Sequence, residues 1–129
     1  MKKFMKRTGL VLSVLIAIMM LFAFLGKAEV LRLHIENIDL AQIPDGTYAG
    51  SYANYRWSNK VEVQVSGHEI VGITPIQVQS GRESLAQDLT NEIIRLQRSD
   101  VDAVSGATAS SNGFLKAVEI ALTSAAATP

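Results

Sequence analysis

Apolar and polar positions divide the chain into one long apolar run and several shorter mixed segments. The long run extends from Gly9 to Gly26 and is interrupted only by Ser13. At a helical rise of 1.5 Å per residue it reaches about 27 Å, close to the thickness of the apolar interior of a bilayer. We therefore expect a transmembrane anchor at residues 9–26, preceded by a short polar N-terminus at residues 1–8.

Residues 27–43 mix apolar and charged side chains and form a predicted juxtamembrane connector. The membrane helix is expected to continue into this connector for some turns. It should end before Pro44, because proline disfavours helical geometry in the residue that precedes it.

Three short segments after the connector have the pattern of β-strands. The clearest is Lys60–Val65, in which valines alternate with charged or amide side chains. Thr47–Tyr52 precedes it, and Ile70–Ile73 follows a short loop as an antiparallel partner. Pro75 has no N–H to donate, so the last strand should bend or lie at a sheet edge there.

The period changes to that of a helix after Ser80. Ser80 and Glu83 have the spacing of a capping box, and the helix should end near Arg98. A second apolar stripe extends from Phe114 to Leu122. The prediction is an α+β fold, a small antiparallel sheet with two amphipathic helices packed on it, over residues 44–124. The alanine-rich residues 125–129 are predicted to be a disordered tail.

Charge and composition exclude some kinds of site and predict the orientation of the chain in a membrane. The chain has no cysteine, which excludes a disulfide framework, a thiolate metal site and a lipid-modified cysteine. The formal net charge is zero, but four of the twelve basic residues stand in the first seven positions. This cluster predicts a cytoplasmic N-terminus and an extracytoplasmic C-terminal domain. The remainder is net negative, which argues against nucleic-acid binding.

A cleaved signal peptide is the alternative to a retained anchor. Small residues at Gly26 and Ala28 occupy the two positions that a signal peptidase reads. The apolar run is longer than the core of most signal peptides, however, which favours the anchor.

A stretch of very small side chains, Asp102–Ser111, lies between the two predicted helices. Gly106 provides conformational freedom, and Ser110-Ser111-Asn112 offers N-cap side chains to the following helix. Such residues are also those of an ordinary capped turn, so the spacing alone does not assign a function.

This stretch resembles the signature of the FMN-binding domain family, whose members include the flavin-carrying subunits of the sodium-translocating NADH:quinone reductase and Rnf-type complexes. The signature is Asp, two variable positions, Ser or Thr, Gly, Ala, and Thr or Ser. Ala103 stands where the family often has glycine. A second family element, Asp45–Gly50, stands upstream where the first strand of the family begins, so the resemblance covers most of residues 43–122.

The resemblance implies that FMN is the cofactor and that its phosphate is esterified to Thr108 by a dedicated flavin transferase. Free N–H groups at the start of the following helix would suit the phosphate diester. Asp102 could either orient the loop or meet the metal of the transferase. An aromatic cluster upstream, which includes Tyr48 and Trp57, could supply one or two contacts to the flavin ring. The remaining residues that the resemblance places around the cofactor are Ser105, Gly106, Ala107, Ser110 and Ser111.

The function implied is that of a membrane-anchored, exported flavoprotein that transfers electrons between redox partners, one of them in the membrane. Non-covalent FMN binding by a carrier or sensor, and a tethered interaction module without a cofactor, are the alternatives. We predict no catalytic residue and no metal ligand, because His34 and His68 have no partner in the sequence.

Overall fold

A computed structural model describes residues 1–126 and has the predicted α+β architecture. Two short 3-10 turns, Leu40–Gln42 and Tyr55–Trp57, interrupt the connections between the main elements. The main elements are α1 (Lys2–Phe24), α2 (Lys27–Leu31), β1 (Gly46–Tyr52), β2 (Asn59–Ser66), β3 (Glu69–Gln77), α3 (Glu83–Leu96) and α4 (Thr108–Ala126).

The three strands form an antiparallel meander in the order β1-β2-β3. Val63 at the centre of β2 pairs with Tyr48 on one side and with Ile73 on the other. Every second residue of β2 is buried, as the sequence alternation predicts. β3 continues unbroken through Pro75, because it is an edge strand and one of its sides has no partner strand among the described residues.

The core lies between the sheet and the two long helices. Side chains of α4 pack over β1 and β2, while α3 packs beside β3. Phe114, Leu115, Val118 and Leu122 of α4 are each no more than 1% exposed. Truncating one such side chain to alanine typically costs about 2 to 5 kcal/mol, so this stripe is a main source of stability.

The helix α3 differs from its prediction at its start and ends close to the predicted Arg98. The Ser80–Glu83 capping box does not form, because Arg82 occupies the N-cap position and makes no side-chain cap hydrogen bond. The helix ends at Leu96, since Gln97 adopts a left-handed conformation with a φ of 54°. The Gln97 side chain then bonds to β3: its Oε1 accepts from the Ile70 N–H at 2.6 Å and its Nε2 donates to the Ile70 carbonyl at 2.9 Å.

The connector of residues 27–43 packs against the domain. The predicted membrane helix, α1, ends at Phe24, and Gly26, with a φ of 80°, separates it from α2. Helical structure therefore extends into the connector only as far as Leu31, well before Pro44. α2 follows, and Val30 within it is completely buried. The chain beyond α2 runs along the core and ends at Ile43, which is also completely buried. The connector therefore behaves as part of the folded domain.

Glu119 fastens this connector to α4. Its Oε2 accepts from the Glu36 N–H at 3.0 Å and its Oε1 from Lys116 Nζ at 2.9 Å, and the residue is only 8% exposed. Ser99 Oγ completes the contact by donating to the Glu36 carbonyl at 2.7 Å.

We expect Glu119→Ala to destabilise the domain by about 1 to 3 kcal/mol, because it leaves the Glu36 N–H without its acceptor and the Lys116 ammonium with only the His34 carbonyl. For a domain of this size that corresponds to a fall in melting temperature of roughly 5 to 15 °C. Thermal unfolding followed by circular dichroism measures it. Glu62→Ala, which removes an exposed carboxylate from β2, is the matched control. Equal melting temperatures for the two variants would contradict the role of Glu119.

The helix α1 contributes nothing to the core. None of its residues is buried, and by length and composition it is able to cross a membrane. At the other end of the chain, Ala125 and Ala126 continue α4, and Ala125 is completely buried. The rest of the predicted disordered tail, residues 127–129, lies outside the described residues.

Candidate functional site

Thr108 is the first residue of α4 and its side chain is exposed. Immediately before it the chain makes a tight turn, in which the Ala107 N–H donates to the Val104 carbonyl at 2.9 Å. Gly106 has a φ of 81°, which a residue with a side chain rarely adopts. No heavy atom lies within 4 Å of the position that a Cβ would take there. The loop thus leaves open space at Gly106, next to the exposed Thr108.

The helix α4 begins earlier than predicted, so Ser110, Ser111 and Asn112 lie inside it rather than capping it. The first intrahelical hydrogen bond runs from the Ser111 N–H to the Ala107 carbonyl at 2.9 Å. The N–H groups of Thr108, Ala109 and Ser110 therefore have no intrahelical partner. Ala107, which precedes the helix, has no side-chain acceptor for these three N–H groups. They therefore point out of the start of α4.

The two serines have structural roles. Ser111 is completely buried and its Oγ accepts from the Val104 N–H at 3.1 Å, which holds the loop against the helix. Ser110 is 6% exposed and its Oγ donates to Gln79 Oε1 at 2.7 Å. Neither oxygen is presented to solvent as that of Thr108 is.

A cavity of about 420 Å³ adjoins the exposed hydroxyl. The segment Asp102–Ser111, which carries the family signature and is called the motif loop below, forms one side of the cavity. The Tyr55–Trp57 turn and the segment after β3 form a second side, and the end of α1 with α2 forms a third. Its lining residues are Phe24, Lys27, Leu31, Arg56, Trp57, Gln79, Arg82 and Gly106 to Ser110.

The charged side chains around this cavity are all basic. Lys27, Arg56 and Arg82 line it, and among the residues that the structure describes no carboxylate does. Within residues 1–126 no ion pair neutralises these three cations. Arg56 lies over the Trp57 ring at 5.3 Å, and Lys27 over the Phe24 ring at 5.2 Å. With the free N–H groups of α4, this arrangement favours an anion that carries a planar or apolar group.

Gln79 contributes a fixed polar group to the same cavity. The residue is only 8% exposed, and the hydrogen bond from Ser110 fixes its carbonyl oxygen. Its amide nitrogen is then left to donate, because the described residues give it no acceptor. This nitrogen is not among the buried atoms that lack a partner, so solvent reaches it and it is available to donate to a bound ligand.

The other residues predicted around the cofactor lie elsewhere. Ser105 is exposed in the loop but outside the cavity lining. Tyr48 lies in β1 and donates from its hydroxyl to the Pro44 carbonyl at 2.6 Å, so the structure does not bring it to the cavity. Trp57 is the member of the predicted aromatic cluster that lines the cavity.

Asp102 borders a second cavity, of about 310 Å³, on the α3 side of the motif loop. Asp88 and Glu92 of α3 line the same cavity, so its charge is opposite to that of the first. A hydrogen bond from Arg95 lowers the pKa of Glu92, which keeps this carboxylate ionised at neutral pH. Asp102 makes no hydrogen bond within the described part of the chain. The structure therefore shows no hydrogen bond through which Asp102 would orient the loop, and both of its predicted roles stay predictions.

The sequence did not predict that most of these basic residues line the first cavity. Lys27, Arg56 and Arg82 are separated by at least 26 residues, and no local pattern joins them. Gln79 likewise stands in an irregular segment after β3. Only the adjacency of Arg56 to the single tryptophan offered a signal, since that pairing is typical of cation–π contacts.

Comparison with known proteins identifies the family of the chain. The family model described as the FMN-binding domain matches residues 55–123, which is more than half of the chain. No curated protein matches the sequence. The matched region contains the motif loop, Trp57, Gln79 and Arg82, but neither α1 nor α2.

Proposed function

Because the chain belongs to the FMN-binding domain family and FMN is its cofactor, we propose that it is a membrane-anchored flavoprotein which carries FMN covalently on Thr108 and transfers electrons between redox partners. The observation that carries this proposal is the exposed Thr108 hydroxyl at the start of α4, beside a basic cavity.

The residues around the cavity fit FMN. Its volume is in the range of cavities that hold small cofactors. Lys27, Arg56 and Arg82 would balance the phosphate charge, and the free N–H groups of α4 would donate to phosphate oxygens. Phe24 and Trp57 would offer aromatic surface to the flavin ring. When bound, the flavin supplies the one-electron and two-electron chemistry, while the protein holds and orients it.

The attachment step requires a base that the cavity lacks. To form the ester, the threonine hydroxyl must lose its proton and its oxygen must displace a leaving group from the phosphorus of the flavin donor; a dinucleotide donor such as FAD would release AMP. Within the described residues, neither a carboxylate nor a histidine lines the cavity beside Thr108. This supports a separate flavin transferase as the source of the base and of the metal ion that phosphoryl transfer usually needs. The open loop around Gly106 leaves room for its active site.

The helix α1 supports the proposal that the flavoprotein is anchored in a membrane. Apolar side chains cover α1 from Leu10 to Phe24, apart from Ser13, and none of them is buried by the domain. The basic N-terminus favours a cytoplasmic start and an exported domain. The lining of the cavity also supports a retained anchor, because cleavage after Ala28 would remove Phe24 and Lys27 from the cavity.

Non-covalent FMN binding is a second candidate, since the three cations and Trp57 line the cavity independently of any ester. In that case the protein is a flavin carrier or sensor. Denaturing electrophoresis under ultraviolet light separates the two, because only an esterified flavin stays with the unfolded chain.

We expect the full chain, purified from cells that contain a flavin transferase, to give a fluorescent denatured band and one FMN adduct in intact-mass measurement. Trypsin should release the adduct on residues 99–116, between Arg98 and Lys116. Fragmentation is needed to locate it, because four serines share that peptide with Thr108. The same chain from cells without the transferase is the control. An unmodified chain from both sources, or an adduct on a serine, would contradict the proposal.

A further inference from the structure

We propose that the joint at the end of the membrane helix, residues 23–31, is a wall of the cofactor cavity and holds that cavity at the lipid surface. We name these residues the anchor joint. The inference rests on the proposed function in taking the cavity as the FMN site and α1 as a membrane span. It extends the site beyond the residues that match the family.

Three residues of the anchor joint line the cavity opposite the motif loop. Phe24 ends α1, Lys27 begins α2, and Leu31 ends α2. Phe24 is 53% exposed and Leu31 is 45% exposed, although both lie at the cavity. Apolar side chains with this exposure at the end of a membrane helix are well placed to face lipid.

Gly26 fixes the direction in which the membrane helix leaves the domain. Its φ of 80° is in the left-handed region, and an added Cβ would lie 1.8 Å from Asn54 Oδ1. Asn54 is 5% exposed, and its Nδ2 donates to the Gly26 carbonyl at 3.0 Å. The same nitrogen donates to the Tyr52 hydroxyl oxygen at 2.8 Å, which ties the joint to the end of β1. Arg56 adds a hydrogen bond to the Ala23 carbonyl at 3.4 Å.

The anchor joint is also bound to the helix that carries the attachment threonine. Val30 is completely buried, and its carbonyl accepts from Asn112 Nδ2 at 3.0 Å. Asn112 stands one helical turn after Thr108. The membrane helix and the attachment helix are therefore joined by direct contacts, which restricts the motion of one relative to the other.

The position of the joint along the sequence sets the depth of the cavity. The apolar run ends at Gly26, and Lys27 is the first charged residue after it. A lysine at this point keeps its ammonium group in the headgroup region, where its stem can remain in contact with apolar surface. Phe24 lies in the last turn of α1, so the cavity begins within about one helical turn, or 5 Å, of the edge of the apolar layer.

Trp57 provides a probe of this depth that needs no flavin. It is the only tryptophan, and it lines the cavity. The full chain is prepared from cells without a transferase, since bound flavin would quench the indole, and is placed in phosphatidylcholine vesicles. Some vesicles carry a nitroxide at the lipid headgroup, and others carry it near the end of the acyl chain. We expect the headgroup nitroxide to quench Trp57 strongly and the deep nitroxide to quench it weakly.

The variant Gly26→Ala should lose this preference for the headgroup label, because the added Cβ displaces Asn54 and opens the joint. Gly9→Ala, within α1, is the matched control, since beyond its chain neighbours and the nearby backbone of its own helix no atom lies within 4 Å of its Cβ position. We expect the headgroup nitroxide to quench Trp57 in Gly9→Ala as strongly as in the wild type. Asn54→Ala breaks the same joint without adding an atom, and it is used if Gly26→Ala does not fold.

Two results would overturn the inference: no preferential quenching of wild-type Trp57 by the headgroup label, or a full preference in both joint variants. The outcome is separable from that of the proposed function. A chain that shows the quenching but never takes up flavin contradicts the proposed function alone. A chain that carries flavin but shows no headgroup quenching contradicts this inference alone.

Discussion

Thr108→Ala is expected to abolish flavin attachment while leaving the fold intact. The hydroxyl is the only group of this side chain that can form the phosphate ester, and its removal leaves no substitute in the same place. Ser110 and Ser111 stand nearby, but one oxygen bonds to Gln79 and the other holds the Val104 N–H. Because Thr108 is exposed at the first position of α4, the free energy of unfolding should change by less than about 0.5 kcal/mol.

The measurement is fluorescence of the denatured band together with the mass of the peptide of residues 99–116, in cells that contain the transferase. Thr108→Ser keeps a hydroxyl at the same backbone position and should retain flavin. Thr123→Ala removes an exposed threonine from the same helix, away from the cavity, and serves as the matched control. Flavin retained by Thr108→Ala, or lost equally in Thr123→Ala, would contradict the assignment of Thr108.

Gly50→Ala is expected to cause the largest loss of stability among conservative substitutions of the sheet. β1 and α4 approach so closely at this position that an added Cβ would lie 2.1 Å from the Ala117 carbonyl oxygen and 2.4 Å from the Ala121 nitrogen. Both are backbone atoms of a helix and cannot rotate away as a side chain does. The helix must separate from the strand, which costs about 3 kcal/mol or more.

For a domain of this size, such a cost lowers the melting temperature by roughly 10 °C or more. Gly72→Ala is the matched control: it is also a strand glycine, and the nearest atom to its added Cβ is a flexible glutamine oxygen at 3.6 Å. Thermal unfolding of the two full-length variants gives the comparison. If Gly50→Ala melts at the same temperature as Gly72→Ala, the close contact between β1 and α4 does not exist in solution.

The elements of the fold were predictable where the pattern of side chains is local. The alternation of β2 and the helical stripe beginning at Phe114 both depend on residues within two to four positions of one another, and both predictions are confirmed. Helix ends were less predictable. Ser80 and Glu83 have the spacing of a capping box, but the backbone turns at Arg82 before the helix starts, so the spacing was misleading.

The site was predictable on one side only. The motif loop is a contiguous signature, and the structure places its threonine at the start of α4 as an exposed residue. The opposing wall consists of residues whose meeting depends on tertiary packing. Lys27 reaches the cavity because Gly26 redirects the chain, and Arg82 reaches it because the segment after β3 passes beside Ser110. No repeating pattern of residues in the sequence predicts either of these two positions.

The packing of α4 against β1 also determines when the core of the domain can form during folding. The strands of the meander follow one another closely in sequence, so they can pair soon after they are made. β1 and α4 are separated by 55 residues, and α4 follows every other element of residues 1–126. During synthesis from the N-terminus, the apolar face of the sheet therefore stays uncovered until α4 has emerged. This interval is when the nascent chain is most open to aggregation, and when binding by a chaperone would have the greatest effect.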